Sequence, residues 1–216
     1  MKKALLLLGF AALTTQQASA LFKIGPEVGL SFNKMTYSGS GTAGLSPTIS
    51  SITGFRAGIT TDIGIGPIAV QPGIFYSAKG GTQAADFLGF ATITLKNKVN
   101  YLEVPVWIQY KQKLGPGKAF IGLGPSIAMA LNGKSTFSGS VLGTSADSTY
   151  DITFGSDSTD MKKLDYAVNF NIGYQLSMGV FVRFFYSLGL ANLSNDPAFD
   201  TKNRSFGVSV GYLIGK

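Results

Sequence analysis

The residue types that carry most enzyme chemistry are missing from this sequence. Its 216 residues include no histidine and no cysteine, which excludes histidine-dependent triads, imidazole metal sites and thiolate sites. A serine–lysine or paired-carboxylate site stays open, but no base stands at a telling spacing from any serine. The G-x-G-x-x-G match at 39–44 lies in a loop with no helix after it, so the context of a dinucleotide site is missing. We predict a protein that is not an enzyme and carries no metal and no cofactor.

The charged residues form a second candidate set, because several are predicted to share one interior. Charged residues are only 13% of the chain and the net charge is +7, which is too sparse for a nucleic-acid footprint, so no nucleic-acid partner is predicted. The polar network expected to point inward consists of Glu27, Arg56, Asp62, Lys79, Glu103, Lys111 and Arg183. Unpaired charges in a low-dielectric interior are costly, so these groups should pair or meet water. An interlocked plug is the favoured interpretation, and a narrow polar conduit is the alternative.

The elements that position these side chains are β-strands, because apolar residues alternate with small or polar ones along eight segments. The segments lie near residues 22–33, 55–65, 68–79, 102–111, 121–131, 166–176, 180–190 and 205–214. Their lengths suit a membrane wall, since a tilted strand needs about 9–11 residues to cross a bilayer. The connections alternate in length as well. Tight turns are expected at 66–67, 112–117 and 177–179, and long polar loops at 35–51, 80–98, 133–164 and 191–203.

This layout predicts an all-β protein, an eight-stranded antiparallel up-and-down transmembrane β-barrel with both termini periplasmic. A soluble barrel of the lipocalin type is the alternative, but its bulky apolar face would point inward. Five large side chains are expected to fill the narrow lumen, namely Phe75, Trp107, Phe120, Phe181 and Phe185. Other aromatic residues are expected to form interfacial girdles at Phe22, Phe32, Tyr76, Tyr101, Tyr110, Tyr166, Tyr174, Tyr186 and Tyr212. Pro105 falls within a strand, where we expect a local distortion.

The first twenty residues have the pattern of a secretory signal peptide. Lys2 and Lys3 precede an apolar run over 4–13, and Ala18-Ser19-Ala20 is a cleavage site of the A-x-A type. That run would rise only about 15 Å as a helix, against roughly 30 Å of hydrocarbon, so it is too short to span a membrane. We predict a signal peptide over 1–20, a barrel domain over 21–216 and a location in the bacterial outer membrane.

Two features of the predicted loops indicate partners. Basic residues at or beyond the outer rim could bind lipopolysaccharide phosphates beside outer-membrane lipid, and they are Lys34, Lys79, Lys96, Lys98, Lys134, Lys162, Lys163, Lys202 and Arg204. Solvation of the loops is an equally good explanation of these charges. Ser148 and Ser158 each follow an aspartate and precede a threonine. Both triplets resemble the O-glycosylation sequon of Bacteroidetes. The loop aspartates at 147, 151, 157 and 160 have no fixed spacing that would indicate calcium.

Several strand motifs, taken in order, resemble the PorT-like family of small outer-membrane barrels found in Bacteroidetes. The stretches are Phe22-Lys23-Ile24-Gly25-Pro26-Glu27-Val28-Gly29-Leu30, Tyr101-Leu102-Glu103-Val104-Pro105-Val106, Gly122-Leu123-Gly124-Pro125 and Tyr186-Ser187-Leu188-Gly189-Leu190. Two positions depart from the family pattern. Phe185 stands where an arginine is expected, and the chain ends in Gly215-Lys216 without a terminal aromatic residue.

The resemblance implies a place and a shape more than an activity. The function predicted is a structural, accessory or surface-interaction role in the outer membrane, with a protein partner possible through the extracellular loops. Assistance to protein secretion is implied by the family resemblance alone. The alternatives are a narrow, porin-like pore for small solutes and a lipid-modifying enzyme. The enzyme is disfavoured because such barrels use a histidine that this chain does not have.

Overall fold

The computed structural model describes residues 21–40, 48–87, 91–141 and 144–215, which form eleven β-strands. The predicted signal peptide over 1–20 lies outside the described residues. The described residues contain no apolar helix of membrane-spanning length. The strands are β1 (Leu21–Ser38), β2 (Thr48–Ser50), β3 (Ile52–Ile65), β4 (Ile68–Phe87), β5 (Ala91–Leu114), β6 (Gly117–Val141), β7 (Thr144–Asp151), β8 (Leu164–Leu176), β9 (Val180–Gly189), β10 (Asp200–Tyr212) and β11 (Ile214–Gly215).

Eight of these strands close into a barrel. Each is antiparallel to its neighbours in the order β1, β3, β4, β5, β6, β8, β9, β10. The ring closes because β10 pairs with β1, from the register pair of Glu27 with Gly211 to the register pair of Ser38 with Asp200. Closure leaves no free edge in the wall, which any strand structure in lipid requires. The predicted eight-stranded antiparallel barrel is therefore confirmed. The periplasmic position of the termini stays a prediction.

The barrel wall keeps its apolar side chains on the outside. In β1, Val28 is 58% exposed and Leu30 is 53% exposed, while Glu27 between two outward neighbours is 0% exposed. The same alternation runs around the ring, because successive side chains of a strand point to opposite faces. The soluble alternative would need these residues inside. A continuous exposed apolar surface of this kind is what a bilayer-facing barrel presents to lipid.

Tight turns mark one end of the barrel, called here the turn end. They lie at 66–67, 115–116 and 177–179, and Gly66 and Gly115 take positive φ angles of 62° and 57° that a side chain would disfavour. Leu21 pairs with Gly64 and Lys23 with Gly215, so both ends of the described chain lie here. The opposite end is the loop end.

The loop end contains much more strand than the sequence predicted. The predicted loop at 80–98 is wrong, because β4 and β5 continue as a paired hairpin from Gly80–Lys98 to Phe87–Ala91. The predicted loop at 133–164 is wrong over its first half, where β6 pairs with β7 from Lys134–Asp151 to Val141–Thr144. Strands β2 and β7 and the ends of β4, β5 and β6 form one sheet, the projecting sheet, over residues 48–50, 80–87, 91–100, 132–141 and 144–151.

One irregularity separates the projecting sheet from the barrel wall, and a second lies within the wall. A β-bulge places Leu131 as an extra residue opposite Asn100 and Tyr101, so the inward face of β6 changes from even to odd residues there. Nearer the turn end, the β4–β5 ladder passes from the pair Pro72–Val106 to the pair Phe75–Glu103. The skipped positions include Pro105, which has no N–H to donate. The ladder is interrupted at this proline while its register is the same on both sides of the gap, so a local distortion of the strand stays a prediction.

Candidate functional site

The barrel interior contains a polar network around Arg183. Its Nη1 lies 2.9 Å from Oε2 of Glu27, and its Nη2 donates to Oε1 of Gln71 at 2.6 Å. Ser209 donates to Glu27 at 2.6 Å. Both Arg183 and Glu27 are 0% exposed. A buried ion pair is stable only when further hydrogen bonds satisfy its remaining lone pairs and protons. The contacts with Gln71 and Ser209 supply part of these bonds, whereas Nε of Arg183 has no hydrogen-bond partner among the described residues.

The same network continues toward the turn end through Asp62. Gln71 donates to Asp62 at 2.7 Å, Lys111 pairs with Asp62, and Lys111 also donates to Gln175 at 3.0 Å. One hydrogen-bonded chain thus runs across seven of the eight barrel strands. Its members in order are Ser209, Glu27, Arg183, Gln71, Asp62, Lys111 and Gln175.

A second network lies toward the loop end and is centred on Lys79. Its Nζ lies 3.3 Å from Glu103 and 3.7 Å from Asp165. Ser77 donates to Glu103 at 2.8 Å, and Asn203 donates to Asp165 at 3.0 Å. This buried position contradicts the prediction that Lys79 is a rim lysine for lipopolysaccharide. The alternation of side chains along β4 turns Lys79 into the barrel, even though the residue lies near the loop end of that strand.

Asp165 is the site residue that the sequence analysis missed. It is 1% exposed and completes a balanced interior of four cations and four carboxylates with the seven predicted residues. The predicted loop ends at residue 164 and the predicted strand begins at residue 166, so this aspartate falls between the two. The alternation along β8 could have predicted that Asp165 points inward, because it continues the series of inward residues Ala167, Asn169 and Asn171 in steps of two.

Arg56 lies between the two networks, and no carboxylate of the described residues is in contact with it. Its guanidinium carbon is 3.9 Å from the ring centroid of Phe75 and 4.7 Å from that of Phe185. It is 4% exposed, and its Nε and Nη2 have no hydrogen-bond partner in the structure. Stacking on two rings gives the cation an electrostatic contact that a carboxylate would otherwise supply.

Aromatic side chains occupy much of the remaining interior. The five predicted lumen fillers Phe75, Trp107, Phe120, Phe181 and Phe185 are all buried. The ring of Trp107 lies 5.3 Å from the guanidinium of Arg183. Tyr101 joins them at 0% exposure, so its predicted place in an interfacial girdle is wrong. It shares inward parity with Glu103 on β5. Eight strands leave a lumen that side chains can fill, and these side chains fill its middle.

The loop end is covered by a segment over 152–163, called here the cap segment. Met161 packs against the buried cluster of Val99, Tyr101, Ala128 and Ala130 and against the cluster of Met35, Ala191 and Leu193. Backbone hydrogen bonds fix the segment, with the N–H of Ile152 donating to Gly133 at 2.9 Å and that of Lys162 to Leu193 at 2.8 Å. These contacts attach the cap segment to the barrel, so the segment is an integral part of the fold.

The remaining predicted residues lie on the surface of the loop end. Lys98 is opposite Lys134 across the β5–β6 ladder, and Lys34 is opposite Arg204 across β1–β10, with all four exposed. Ser148 in β7 and Ser158 in the cap segment are both exposed. Across the described ranges, no cluster of three or more acidic side chains is placed to hold a metal ion.

Solved structures similar to this chain include small outer-membrane proteins. OprG from Pseudomonas aeruginosa is 11% identical with a TM-score of 0.52, and the match covers 92% of this chain and 98% of that one. Ail from Yersinia pestis is 13% identical with a TM-score of 0.41, over 89% and 98% of the two chains. The neisserial surface protein NspA is 13% identical with a TM-score of 0.39, over 89% and 97%. At these identities the likeness concerns the fold alone.

Sequence comparison gives the family. No curated protein matched the chain. A family model described as an outer membrane protein beta-barrel domain matches residues 14–195, which is most of the sequence. The exposed apolar wall, the closed eight-stranded ring and this match agree with one another. The chain therefore belongs to the outer membrane protein beta-barrel domain family and is a protein of the bacterial outer membrane.

Proposed function

We propose that the protein is a non-enzymatic barrel whose filled interior makes it a rigid mount for a surface-interaction site at the loop end. The observation that carries this proposal is the packing of the lumen, where Trp107, Phe75 and Arg183 are at most 1% exposed. A hydrogen-bonded chain ties seven strands together across the same space. Such an interior resists deformation and gives a solute no continuous polar path.

Single-channel recording tests this proposal. The folded protein in a planar bilayer should give no reproducible conductance steps, because aromatic rings and paired charges occupy the lumen. The control variants are Arg56→Ala inside the barrel and Arg204→Ala on its outer surface. Reproducible steps that Arg56→Ala alters and Arg204→Ala does not would contradict the filled interior.

A narrow conduit is the second candidate, and Arg56 is the observation that favours it. This buried cation has no paired carboxylate within contact among the described residues. A cavity of about 340 Å³ at the turn end reaches Asp62 and Lys111 and is also lined by Lys23 and Lys118. Solute would enter there and pass Arg56 if the interior side chains moved aside. The same recording separates the two candidates.

The proposed orientation places the turn end in the periplasm and the projecting sheet outside the cell. Short turns on the periplasmic side and longer extracellular connections are the usual layout of such barrels. A signal peptide over 1–20 would deliver the chain to this membrane. The projecting sheet then offers a protein partner a surface beyond the lipid. Assistance to secretion is one form of such a role, and it is supported only by the resemblance of the strand motifs to PorT-like barrels.

Lipopolysaccharide is the lipid partner proposed for the exposed cations of the loop end. Lys98 and Lys134 are register partners on the outer face of β5 and β6, so their side chains leave the sheet next to each other. Each basic group near an anionic surface contributes about 1 kcal/mol to binding. The aromatic residues and apolar wall below them fix their height relative to the lipid.

A paired substitution on these two strands tests the proposal. Lys98→Gln with Lys134→Gln should weaken lipopolysaccharide binding by roughly tenfold or more, since two cations are lost. The matched control is Lys113→Gln with Lys118→Gln, an exposed register pair at the turn end of the same strands. Binding is measured on protein folded in lipid bilayers. Equal losses in the two double variants would exclude a site at the loop end.

Ser148 and Ser158 are proposed O-glycosylation sites, supported by their exposure and by the Asp-Ser-Thr triplets. The mass of the intact protein purified from its native cells tests this. An added glycan that disappears in the Ser148→Ala and Ser158→Ala variants is expected. An unmodified mass in the native protein would refute it.

A further inference from the structure

A cavity of about 470 Å³ opens at the loop end between the projecting sheet and the cap segment. Its floor is apolar, formed by the buried side chains of Met35 and Leu193. Tyr37, Asn97 and Tyr150 contribute to its walls. The volume falls within the range of about 300–1,000 Å³ that is typical of small-molecule sites. None of the lumen residues described above as paired charges lines it, so it is separate from the interior networks.

The lining chemistry is polar and free of cations. It includes Asp151, Asp160, one asparagine and six serines or threonines. Asp151 is the register partner of Lys134, so its side chain lies on the face of the sheet opposite to that of Tyr150. No lysine or arginine belongs to the described lining, although Lys96, Lys98 and Lys134 stand on the same strands. Asp160 adds a negative charge to a lining without cations, so the cavity does not favour anions. The hydroxyl and amide groups offer both donors and acceptors to an uncharged ligand.

Two tyrosines give the cavity its aromatic surface. Tyr150 is 61% exposed at the rim, so its ring is available for contact and has no role in the core. The hydroxyl of Tyr37 donates to Sδ of Met35 at 3.3 Å and accepts from Nδ2 of Asn97 at 3.4 Å. These bonds hold the Tyr37 ring in place before any ligand arrives. An aromatic ring with a polar edge suits a ligand that has apolar faces and polar edges.

The wall formed by the cap segment is also preformed. The N–H of Met161 donates to Thr153 at 3.0 Å, and that of Gly155 donates to Met161 at 3.2 Å. Nδ2 of Asn195 donates to the carbonyls of Gly155 at 2.9 Å and Asp160 at 3.2 Å. A site whose walls are fixed in advance loses less conformational entropy on binding.

We propose that this cavity binds a neutral saccharide. A pyranose ring has apolar C–H faces that can lie on Tyr150 and a rim of hydroxyl groups that both donate and accept hydrogen bonds. Asp160 and Asn97 line the cavity and can meet such hydroxyls, and Met35 and Leu193 cover the apolar side. The uncharged ligand follows from the missing cations, since a phosphorylated or sulfated sugar would meet the carboxylate of Asp160 and no cation in the described lining.

The test uses the full mature protein folded in detergent micelles. It is first screened on an array of neutral, sulfated and amine-bearing glycans, and calorimetry follows with cellotriose, maltotriose and chitotriose. At least one neutral glycan should bind, and Tyr150→Ala and Asp160→Asn should each weaken that binding at least tenfold. The controls are Tyr110→Ala, an exposed tyrosine near the turn end, and Asp157→Asn, an exposed aspartate of the cap segment outside the lining. Both should bind like the wild type.

Three results would overturn the proposal. The first is a wild-type protein that binds no neutral glycan at millimolar concentration. The second is binding that Tyr150→Ala leaves unchanged, which would place the ligand elsewhere. The third is selective binding of sulfated glycans or of polyamines such as spermidine, since either would show that charge and not hydroxyl recognition governs the site. Because Tyr150 is exposed, its truncation should leave the fold and heat stability intact, so a loss of binding reports on the cavity itself.

Discussion

Replacing Arg183 by methionine is expected to lower the free energy of unfolding by about 3–5 kcal/mol, because it leaves Glu27 buried and unpaired. The guanidinium now lies 2.9 Å from that carboxylate and 2.6 Å from Gln71. Trp107 is the only tryptophan of the chain and lies 5.3 Å from Arg183. Its fluorescence in a urea titration of the lipid-folded protein therefore reports directly on this site.

Two variants control the Arg183 experiment. Arg204→Met removes an exposed arginine on β10 and should cost less than about 1 kcal/mol. The double variant Arg183→Met with Glu27→Gln removes both charges and should recover much of the loss, since no unpaired ion stays buried. A cost for Arg183→Met as small as that for Arg204→Met would show that the interior network does not stabilise the barrel.

Truncating Trp107 to alanine is expected to destabilise the barrel by about 3–5 kcal/mol, the range for a large buried aromatic side chain. Trp107 is 1% exposed and fills the middle of the lumen, whereas its neighbour Ile108 points to lipid at 51% exposure. Ile108→Ala is the matched control and should cost clearly less, because lipid chains can occupy the space of the missing atoms. Since the fluorophore is lost, unfolding is followed by the heat-modified mobility of the folded band on a gel.

The order of these two costs tests which side of the wall is packed against protein. If Ile108→Ala cost more than Trp107→Ala, the apolar outer face would be the packed one and the lumen would be water-filled. That outcome would support the conduit described as the second candidate. It would also contradict the assignment of the aromatic side chains as structural filling.

The sequence was most informative where one face of a strand meets lipid and the other meets a crowded lumen. There the alternation around Glu27 and Arg183 fixes which side chains point inward. Beyond the lipid both faces of a strand meet water, so the alternation fades, and the ends of β4, β5 and β6 look like polar loops. Thr, Ile and Val in residues 91–99 carry strand propensity, but only pairing with β4 and β6 identifies them as strand.

Of the three features that were not predicted, Asp165, Tyr101 and the cap segment, only the cap segment lies beyond what periodicity can supply. Asp165 and Tyr101 could have been placed by extending the parity of their own strands by one step. The packing of Met161 against residues from β1, β5 and β6 could not have been predicted in this way, because it depends on contacts between segments far apart in the chain. The loop-end cavity depends on the same contacts, so no local sequence pattern predicts it.

The central claim is a filled outer-membrane barrel that presents its loop end outside the cell, and cysteine labelling of intact cells tests it most directly. The chain has no native cysteine, so single variants are unambiguous. Thr149→Cys in the projecting sheet should react with a membrane-impermeant maleimide, while Lys113→Cys at the turn end should react only after the outer membrane is opened. Ile121→Cys, which faces lipid, should stay unlabelled in both conditions. Labelling of Lys113→Cys but not Thr149→Cys on intact cells would reverse the orientation and contradict the proposed function.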